Sequence, residues 1–329
     1  MNASDKLIDN REQYLAPELT KTLSLQALQE GDVLLFSPEK GSFISWAITF
    51  LTNAPVSHAA MLYQKQPLTI IEESPPQVTV NEALARFHDR IIYVFRHTSQ
   101  QELSPVIDAG TQHLNNLEPY DNASLYIIGL LLLYKKVSLP TLAQKVTLRI
   151  LKKLTATLSE YLQRHKNPGK LPMVCSQFVA QCFEEAGDAY QLHFRHPLLN
   201  SADNKSLLDK TVAFIAQQPL AARNTAKLLT GNVAYESDED LCQALHTAIA
   251  ADPAVEENLV SNRDQPIDPE LAQAIEDFAY VAVQLSGASN ASASLSSTHQ
   301  LQANMNMFVF PGDLLQHCIN LEPIGKINI

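Results

Sequence analysis

Four residues have the types and surroundings that thiol chemistry requires: Cys175, His58, Glu72 and Glu73. Cys175 opens a segment in which apolar residues recur at helical spacing, and Pro172 comes shortly before it, so we predict that a helix begins at or near Cys175. A thiol at a helix N-terminus lies beside unpaired backbone N–H groups and the positive end of the helix dipole, and both favour the nucleophilic thiolate. A buried, unreactive cysteine is the alternative interpretation, because free cysteines often pack in protein cores.

A cysteine nucleophile needs a base within hydrogen-bonding distance, and the base needs a group that orients it. His58 lies in an apolar segment predicted to form a strand, where the small neighbours Ala59 and Ala60 leave room for an imidazole to meet a helix end. Glu72 and Glu73 lie in the next predicted strand and point to opposite faces, so only one of them can share a face with His58. That carboxylate would favour the protonated ring and support a thiolate–imidazolium pair. A core histidine with satisfied hydrogen bonds and two carboxylates at a strand end are the alternative interpretation.

The elements around these candidates predict a sheet followed by helices. Short turns separate the predicted strands, which is typical of antiparallel pairing. The predicted strands cover residues 33–36, 56–63, 68–74, 77–80 and 91–96. Asn81 is predicted to cap a helix that ends at Arg86 or Phe87. Further helices are predicted at 42–51, 103–117, 125–134, 139–161 and through much of 201–285, and residues 307–314 resemble a strand and turn that return to the sheet.

Composition and segment lengths argue against several classes of protein. A net charge of −11 without a basic patch argues against nucleic acid as a partner. The four cysteines lack metal-ligand spacing, so we expect neither a metal nor a cofactor. The apolar stretch 125–134 spans about ten residues whereas a membrane helix needs roughly 20, so membrane contact is less favoured than a buried helix. The first residues lack the apolar core of a signal peptide, which predicts a cytoplasmic protein with reduced thiols; export by a signal-independent route would look the same.

Six short motifs, taken in order, resemble one family of cysteine hydrolases. They are residues 31–36, 57–61, 71–73, 120–121, 174–179 and 310–314. Together they look like the permuted NlpC/P60 papain-like enzymes, with most similarity to the YaeF/YiiX-like amidases, which are related to the lecithin:retinol acyltransferase group. In ordinary NlpC/P60 enzymes the cysteine helix precedes the histidine strand, whereas here His58 precedes Cys175, which is the permuted order.

The resemblance implies an α+β fold of the circularly permuted papain-like type, in which an antiparallel sheet packs on the cysteine helix and helical segments are added around it. It covers roughly residues 31–200 and 305–325. The predicted organisation is an N-terminal helical segment, a catalytic domain with a helical insertion at about 121–165, a helical extension ending in a flexible Ser/Ala-rich linker, and a C-terminal segment that returns to the core. These parts are residues 1–30, 31–200, 201–300 and 301–329 respectively.

The resemblance also implies roles for individual residues. Cys175 would attack an amide or ester carbonyl, and its backbone N–H would help to hold the oxyanion. His58 would take and return the proton. Alignment with the family favours Glu72 over Glu73 as the residue that orients the ring. Tyr120 would contact the substrate, and water would release the acyl group from the enzyme.

Two alternatives to an amide hydrolase remain open, and one interpretation is disfavoured. Val174 stands where ordinary NlpC/P60 enzymes usually have Asp, which argues against a peptidoglycan peptidase. A lipid acyltransferase or thioesterase of the same fold is one alternative, motivated by the apolar helices after Tyr120. A non-catalytic binding or effector scaffold is another, with residues 201–300 as the partner-binding part. The expected substrate is therefore a small-molecule, peptide or lipid amide or ester, and the sequence predicts no particular oligomeric state.

Overall fold

The computed structural model divides the chain into two compact units. The sheet unit comprises Met1–Ala123, Pro172–Leu198 and Phe308–Ile329, and the helical unit comprises Ser124–Leu171 and Leu199–Met307. The structure describes residues 17–74, 77–99, 101–116, 123–134, 139–164, 174–195, 205–217, 236–251, 267–285, 296–303 and 308–329.

The sheet unit is built on a six-stranded antiparallel sheet. Its strands are β1 (Val33–Phe36), β2 (His58–Lys65), β3 (Leu68–Ser74), β4 (Gln77–Glu82), β5 (Ile91–His97) and β6 (Leu321–Asn328). They lie in the order β4-β3-β2-β1-β5-β6, and every neighbouring pair is antiparallel. The predicted α+β class with an antiparallel sheet is thus confirmed.

The sequence predicts about five strands, whereas the structure has six, and β6 is the strand that was not predicted. This strand contains Pro323 and Gly325, which weaken any strand prediction. It can accommodate them because it lies at the edge of the sheet, where its pairing with β5 shifts register between Val94 and Phe95.

Helices pack on the sheet, and helices form nearly all of the described part of the helical unit. In chain order they are α1 (Phe43–Thr52), α2 (Ala83–Phe87), α3 (Ser104–Asn115), α4 (Ala123–Tyr134), α5 (Thr141–Arg164), α6 (Cys175–Glu185), α7 (Leu207–Ala216), α8 (Asp238–Ala250), α9 (Pro269–Leu285), α10 (Ser297–Ala303) and α11 (Pro311–Gln316). Two short 3₁₀ turns, Pro17–Thr20 and Leu25–Ala27, precede β1.

The two faces of the sheet carry different helices. One face packs into a fully buried apolar cluster that includes Phe36, Ile70 and, from α2, Phe87. Directly paired residues share a face, so the pairing of Phe36 with His58 places His58 on this face, and strand alternation places Glu72 there with Ile70. The other face packs against α3 and α6.

Close packing of α3 holds α6 on that second face. A Cβ added at Gly110 of α3 would lie 3.3 Å from Ile71, 3.5 Å from Met61 and 3.7 Å from the sulfur of Cys182. Gly110 therefore marks the point where α3, α6 and the sheet meet, although a methyl group there would require only a small movement of the Ile71 side chain.

The C-terminal segment differs from its prediction, which was a returning strand and a turn over residues 307–314. Residues 308–310 form no strand, although the backbone of Phe310 is extended. Helix α11 follows where a turn was predicted, because Pro311 occupies the first helical turn and Asp313 Oδ2 accepts the backbone N–H of Phe310 at 2.9 Å. The carbonyl of Val309 accepts a hydrogen bond from Ser176 Oγ at 2.7 Å, which ties this segment to the first turn of α6.

One helix of the helical unit is apolar all round. Leu125 to Tyr134 in α4 are all buried, as expected for such a composition. Helix α5 packs against α8 and α9, and its Lys153 forms an ion pair with Asp238 of α8 at 2.6 Å. No helix in the described part of the chain is both long enough and apolar enough to cross a membrane.

The predicted linker is only partly covered by the structure. Residues 286–295 lie outside the described residues, but Ser297–Ala303 form helix α10, so the prediction of a flexible linker as far as residue 300 was wrong at its end. Helix α10 is anchored by Leu301, which is buried, and the carbonyl of Leu301 accepts a hydrogen bond from Tyr134 Oη at 3.1 Å.

Candidate active site

Cys175 is the first residue of α6, as its sequence context predicts. Val174 is the N-cap residue with an extended backbone, and its carbonyl accepts the N–H of Phe178 at 2.8 Å, which closes the first turn. The side chains that follow at helical spacing are buried and fix the helix on the sheet: Phe178, Val179, Cys182 and Phe183. The backbone N–H of Cys175 has no acceptor among the described residues, as is usual for the first turn of a helix.

His58 and Glu72 form a direct contact beside this helix end. His58 is the first residue of β2, and its Nε2 lies 2.5 Å from Glu72 Oε2 on the neighbouring strand β3. The Glu72 side chain is fully buried, and 14% of the His58 side chain is exposed. Because Nε2 faces Glu72, Nδ1 remains for the hydrogen bond that His58 makes with Cys175.

The electrostatics of these three groups favour a thiolate and an imidazolium. Burial lowers the pKa of His58, but the charge and hydrogen bonds of Cys175 and Glu72 outweigh it and raise that pKa to about 9. Burial raises the pKa of Cys175, yet His58 and the backbone N–H groups of Ala59 and Ser176 bring it below its ordinary value. The proton is therefore expected on the ring and the negative charge on the sulfur.

Two further side chains hold the Glu72 carboxylate. Asn81 Nδ2 donates to Oε1 at 2.7 Å, and Arg86 Nη2 donates to Oε2 at 3.0 Å. The Arg86 Nε also lies 2.7 Å from Oε1. Burial raises the pKa of Glu72, but its contacts with His58 and Arg86 lower it to about 2, so the carboxylate stays ionised near neutral pH.

Neither Asn81 nor Arg86 was identified from the sequence as part of the site. Asn81 was predicted to cap a helix, but it lies within β4, and Glu82 is the N-cap of α2. Asn81 pairs with Ile70, two residues from Glu72 and on the same face of the sheet. The alternation of side chains along β4 could have indicated that Asn81 shares a face with Glu72. That inference also requires the register between β4 and β3, which the sequence alone does not give.

The other predicted site residues lie elsewhere. Glu73 is fully buried and pairs with Val78, but it points to the face opposite His58. Tyr120 lies outside the described residues. In the described part of the chain, no group of three or more His, Cys, Asp or Glu side chains is arranged to hold a metal ion.

The structure therefore brings together Cys175, His58 and Glu72, with Asn81 and Arg86 around the carboxylate. Comparison with known proteins finds no family whose sequence model matches this chain, and no curated protein that is significantly similar to it.

Proposed function

We propose that this chain is a cysteine-dependent hydrolase that cleaves an amide or ester bond through an acyl-enzyme intermediate, on a permuted papain-like scaffold. One observation carries the proposal: an unbroken series of contacts runs from Glu72 through His58 to Cys175, and it raises the pKa of the histidine while lowering that of the cysteine. Core histidines need a hydrogen-bond partner, but they do not need to stabilise a thiolate at a helix N-terminus.

The first half of the reaction forms a thioester. The Cys175 thiolate attacks the carbonyl carbon, and the negative charge that develops on the carbonyl oxygen is held by the backbone N–H of Cys175. The tetrahedral intermediate collapses by breaking the bond to the leaving nitrogen or oxygen, which takes the Nδ1 proton of His58. The products of this half-reaction are the free amine or alcohol, the thioester and a neutral His58.

The second half regenerates the site. A water molecule gives a proton to His58 Nδ1 while its oxygen attacks the thioester carbon. Collapse of this second intermediate breaks the carbon–sulfur bond, releases the carboxylic acid and restores the thiolate beside the imidazolium. Glu72 keeps the ring in one orientation throughout, because its contact holds Nε2 and leaves Nδ1 as the nitrogen that serves Cys175.

Carbamidomethylation by iodoacetamide, resolved by residue with mass spectrometry, tests the nucleophile before a substrate is known. A thiol with an ordinary pKa is roughly 0.3% ionised at pH 6, and its alkylation rate rises tenfold for each pH unit. We expect the Cys175 rate to be nearly constant between pH 6 and 8, because the thiolate is already formed. The pH dependence of the rate answers the question even though only 2% of Cys175 is exposed, since access to the sulfur affects all pH values alike.

Cys318 is a matched internal control. It is more exposed than Cys175, but burial raises its pKa to about 11. We expect the rate at Cys318 to rise tenfold per pH unit between pH 6 and 8, and the rate at Cys175 to stay nearly constant over the same range. A tenfold rise per pH unit at Cys175 as well would overturn the proposal, whichever cysteine is labelled faster. A library of fluorogenic amides and esters, with Cys175→Ala as the inactive control, then identifies the substrate class.

A further inference from the structure

We propose that Asn81 and Arg86 are positioning residues that keep Glu72 ionised, so that the proton shared between Glu72 and His58 stays on the imidazole. This inference rests on the proposed function and assigns a role to two residues that do not touch the reacting atoms. It follows from the way in which donors surround a single buried carboxylate.

Asn81 is held so that its amide nitrogen faces Glu72. Besides Glu72 Oε1, its Nδ2 donates to Thr79 Oγ1 at 3.0 Å, and Thr79 Oγ1 is in turn bonded to Ser74 Oγ at 3.2 Å. Both side chains that Asn81 contacts can accept a hydrogen bond. The amide of Asn81 therefore directs its NH₂ group, and not its carbonyl oxygen, towards them. These side chains project from β3 and β4, and the paired strands fix their spacing.

Arg86 reaches the same carboxylate from above the sheet. It belongs to α2, which is anchored by Ala83 and Phe87 in the buried apolar cluster. Its guanidinium lies against both carboxylate oxygens, at 2.7 and 3.0 Å, although 37% of its side chain is exposed. Oε1 therefore faces Asn81 and Arg86, and Oε2 faces His58 and Arg86. A proton placed on either oxygen would point at a donor, so this arrangement penalises the neutral acid.

The penalty on the neutral acid matters because burial alone would favour the neutral form of Glu72. A fully buried carboxylate is favoured to be neutral unless donors stabilise its charge. If Glu72 took the proton, His58 would become neutral and the Cys175 sulfur would lose its counter-charge. The other charged groups near the pair are Arg90, which precedes β5 and donates to the Ser37 carbonyl, and the exposed Glu39; neither contacts Glu72.

The test is the pH profile of Cys175 alkylation by iodoacetamide in four variants of the full chain. Removing a cation from a carboxylate at this distance raises its pKa by about one to three units. We therefore expect Arg86→Gln to move the acidic limb of the profile up by at least one pH unit, which is about a tenfold lower rate at the pH where the native profile begins to fall. Arg86→Lys keeps the charge and should recover most of this loss, and Asn81→Ala should produce a smaller shift in the same direction.

Arg149→Gln is the control for a general effect of losing an arginine, because Arg149 forms an ion pair with Glu236 in the helical unit. Its profile should coincide with that of the native protein. A purely structural role for Arg86 would lower the melting temperature without moving the acidic limb, and this outcome, in Arg86→Gln and Asn81→Ala alike, would overturn the inference. If the native protein itself shows an ordinary thiol profile, the proposed function fails instead, so the two failures are distinguishable.

Discussion

Helix α6 carries a cysteine and lies beside a histidine–glutamate contact near each of its ends. At its N-terminus, His58 lies 2.5 Å from Glu72 and is hydrogen-bonded to Cys175. Near its C-terminus, His113 of α3 has its Nε2 at 2.9 Å from Oε2 of Glu185. Both histidines are largely buried, and by residue type alone the two arrangements would look alike.

The two ends differ in what supports the carboxylate and in where the thiol lies. Glu72 is fully buried among several donors, whereas Glu185 is 35% exposed and accepts a hydrogen bond from Gln181 one turn earlier on the same helix. Cys175 begins the helix, where the first N–H groups have no acceptor within the helix itself, whereas Cys182 lies inside the helix, where the backbone N–H groups are used by the helix. A histidine–carboxylate pair therefore indicates nucleophilic chemistry only where a helix N-terminus presents a thiol to it.

The largest contrast is expected between the two cysteines. Cys175→Ala should lower turnover of any identified substrate by at least about 10⁴-fold with little effect on folding, because alanine fills a similar space but supplies no nucleophile. Cys182→Ala should retain full turnover and lower the free energy of unfolding by about 1 kcal/mol, because it leaves a small cavity under α6. Steady-state kinetics and denaturant unfolding of both variants measure this contrast. Full turnover by Cys175→Ala would mean that Cys175 is no more a nucleophile than Cys182.

The histidines should differ next. His58→Ala removes the counter-charge of the thiolate, so we expect the alkylation rate of Cys175 at pH 6 to fall by about 100-fold, equivalent to two pKa units. His113→Ala should leave the pH profile of alkylation unchanged and cost about 2 kcal/mol of stability, since it removes a buried side chain. A profile that moves equally in both variants would mean that His58 acts through general packing.

The glutamates should differ by a smaller margin. Glu72→Gln keeps an amide that can orient His58 but loses the charge, so the rate of Cys175 alkylation at pH 6 should fall by about tenfold, less than in His58→Ala. Glu185→Gln should leave the rate unchanged and alter stability by no more than about 0.5 kcal/mol, because a partly exposed ion pair contributes little. Equal rates for Glu72→Gln and the native protein would assign Glu72 a structural role alone.

The smallest effect is the pH dependence of stability. The pKa of Glu72 is lowered from 4.5 to about 2, so its contribution is present above pH 4.5 and is lost as the pH falls through 2. The pKa of His58 is raised from 6.5 to about 9, so its contribution is present below pH 6.5 and is lost as the pH rises through 9. The difference in unfolding free energy between the native protein and Glu72→Gln should therefore be largest between pH 4.5 and 6.5. A difference that grows above pH 9 would contradict this assignment.

The spacing of apolar residues predicted the helix at Cys175 and the strands that carry His58 and Glu72. Each of these elements depends only on the pattern within its own segment. The choice between Glu72 and Glu73 depended on the pairing of β2 with β3, which alternation within a single strand does not specify. Arg86 could not be identified in this way, because its contact with Glu72 depends on how α2 packs over the sheet.

The edge strand β6 was missed for a related reason. Its proline and glycine contradict strand propensity, and its pairing with β5 joins residues from distant parts of the sequence. The contact between His113 and Glu185 likewise joins two helices that lie far apart along the chain, so no spacing rule would have found it.

The hydrogen bond from Ser176 to the carbonyl of Val309 has a consequence for the order in which the protein can be made. Residues 308–310 are synthesised after every residue of the helical unit, so a growing chain contains Cys175, His58 and Glu72 long before it contains the segment that ties the first turn of α6. Pairing of β5 with β6 must wait in the same way, and contacts between distant parts of a sequence also form slowly during folding. A translation product interrupted between residues 199 and 307, in the second part of the helical unit, would carry all three candidate residues without the contacts that hold the nucleophile helix in place.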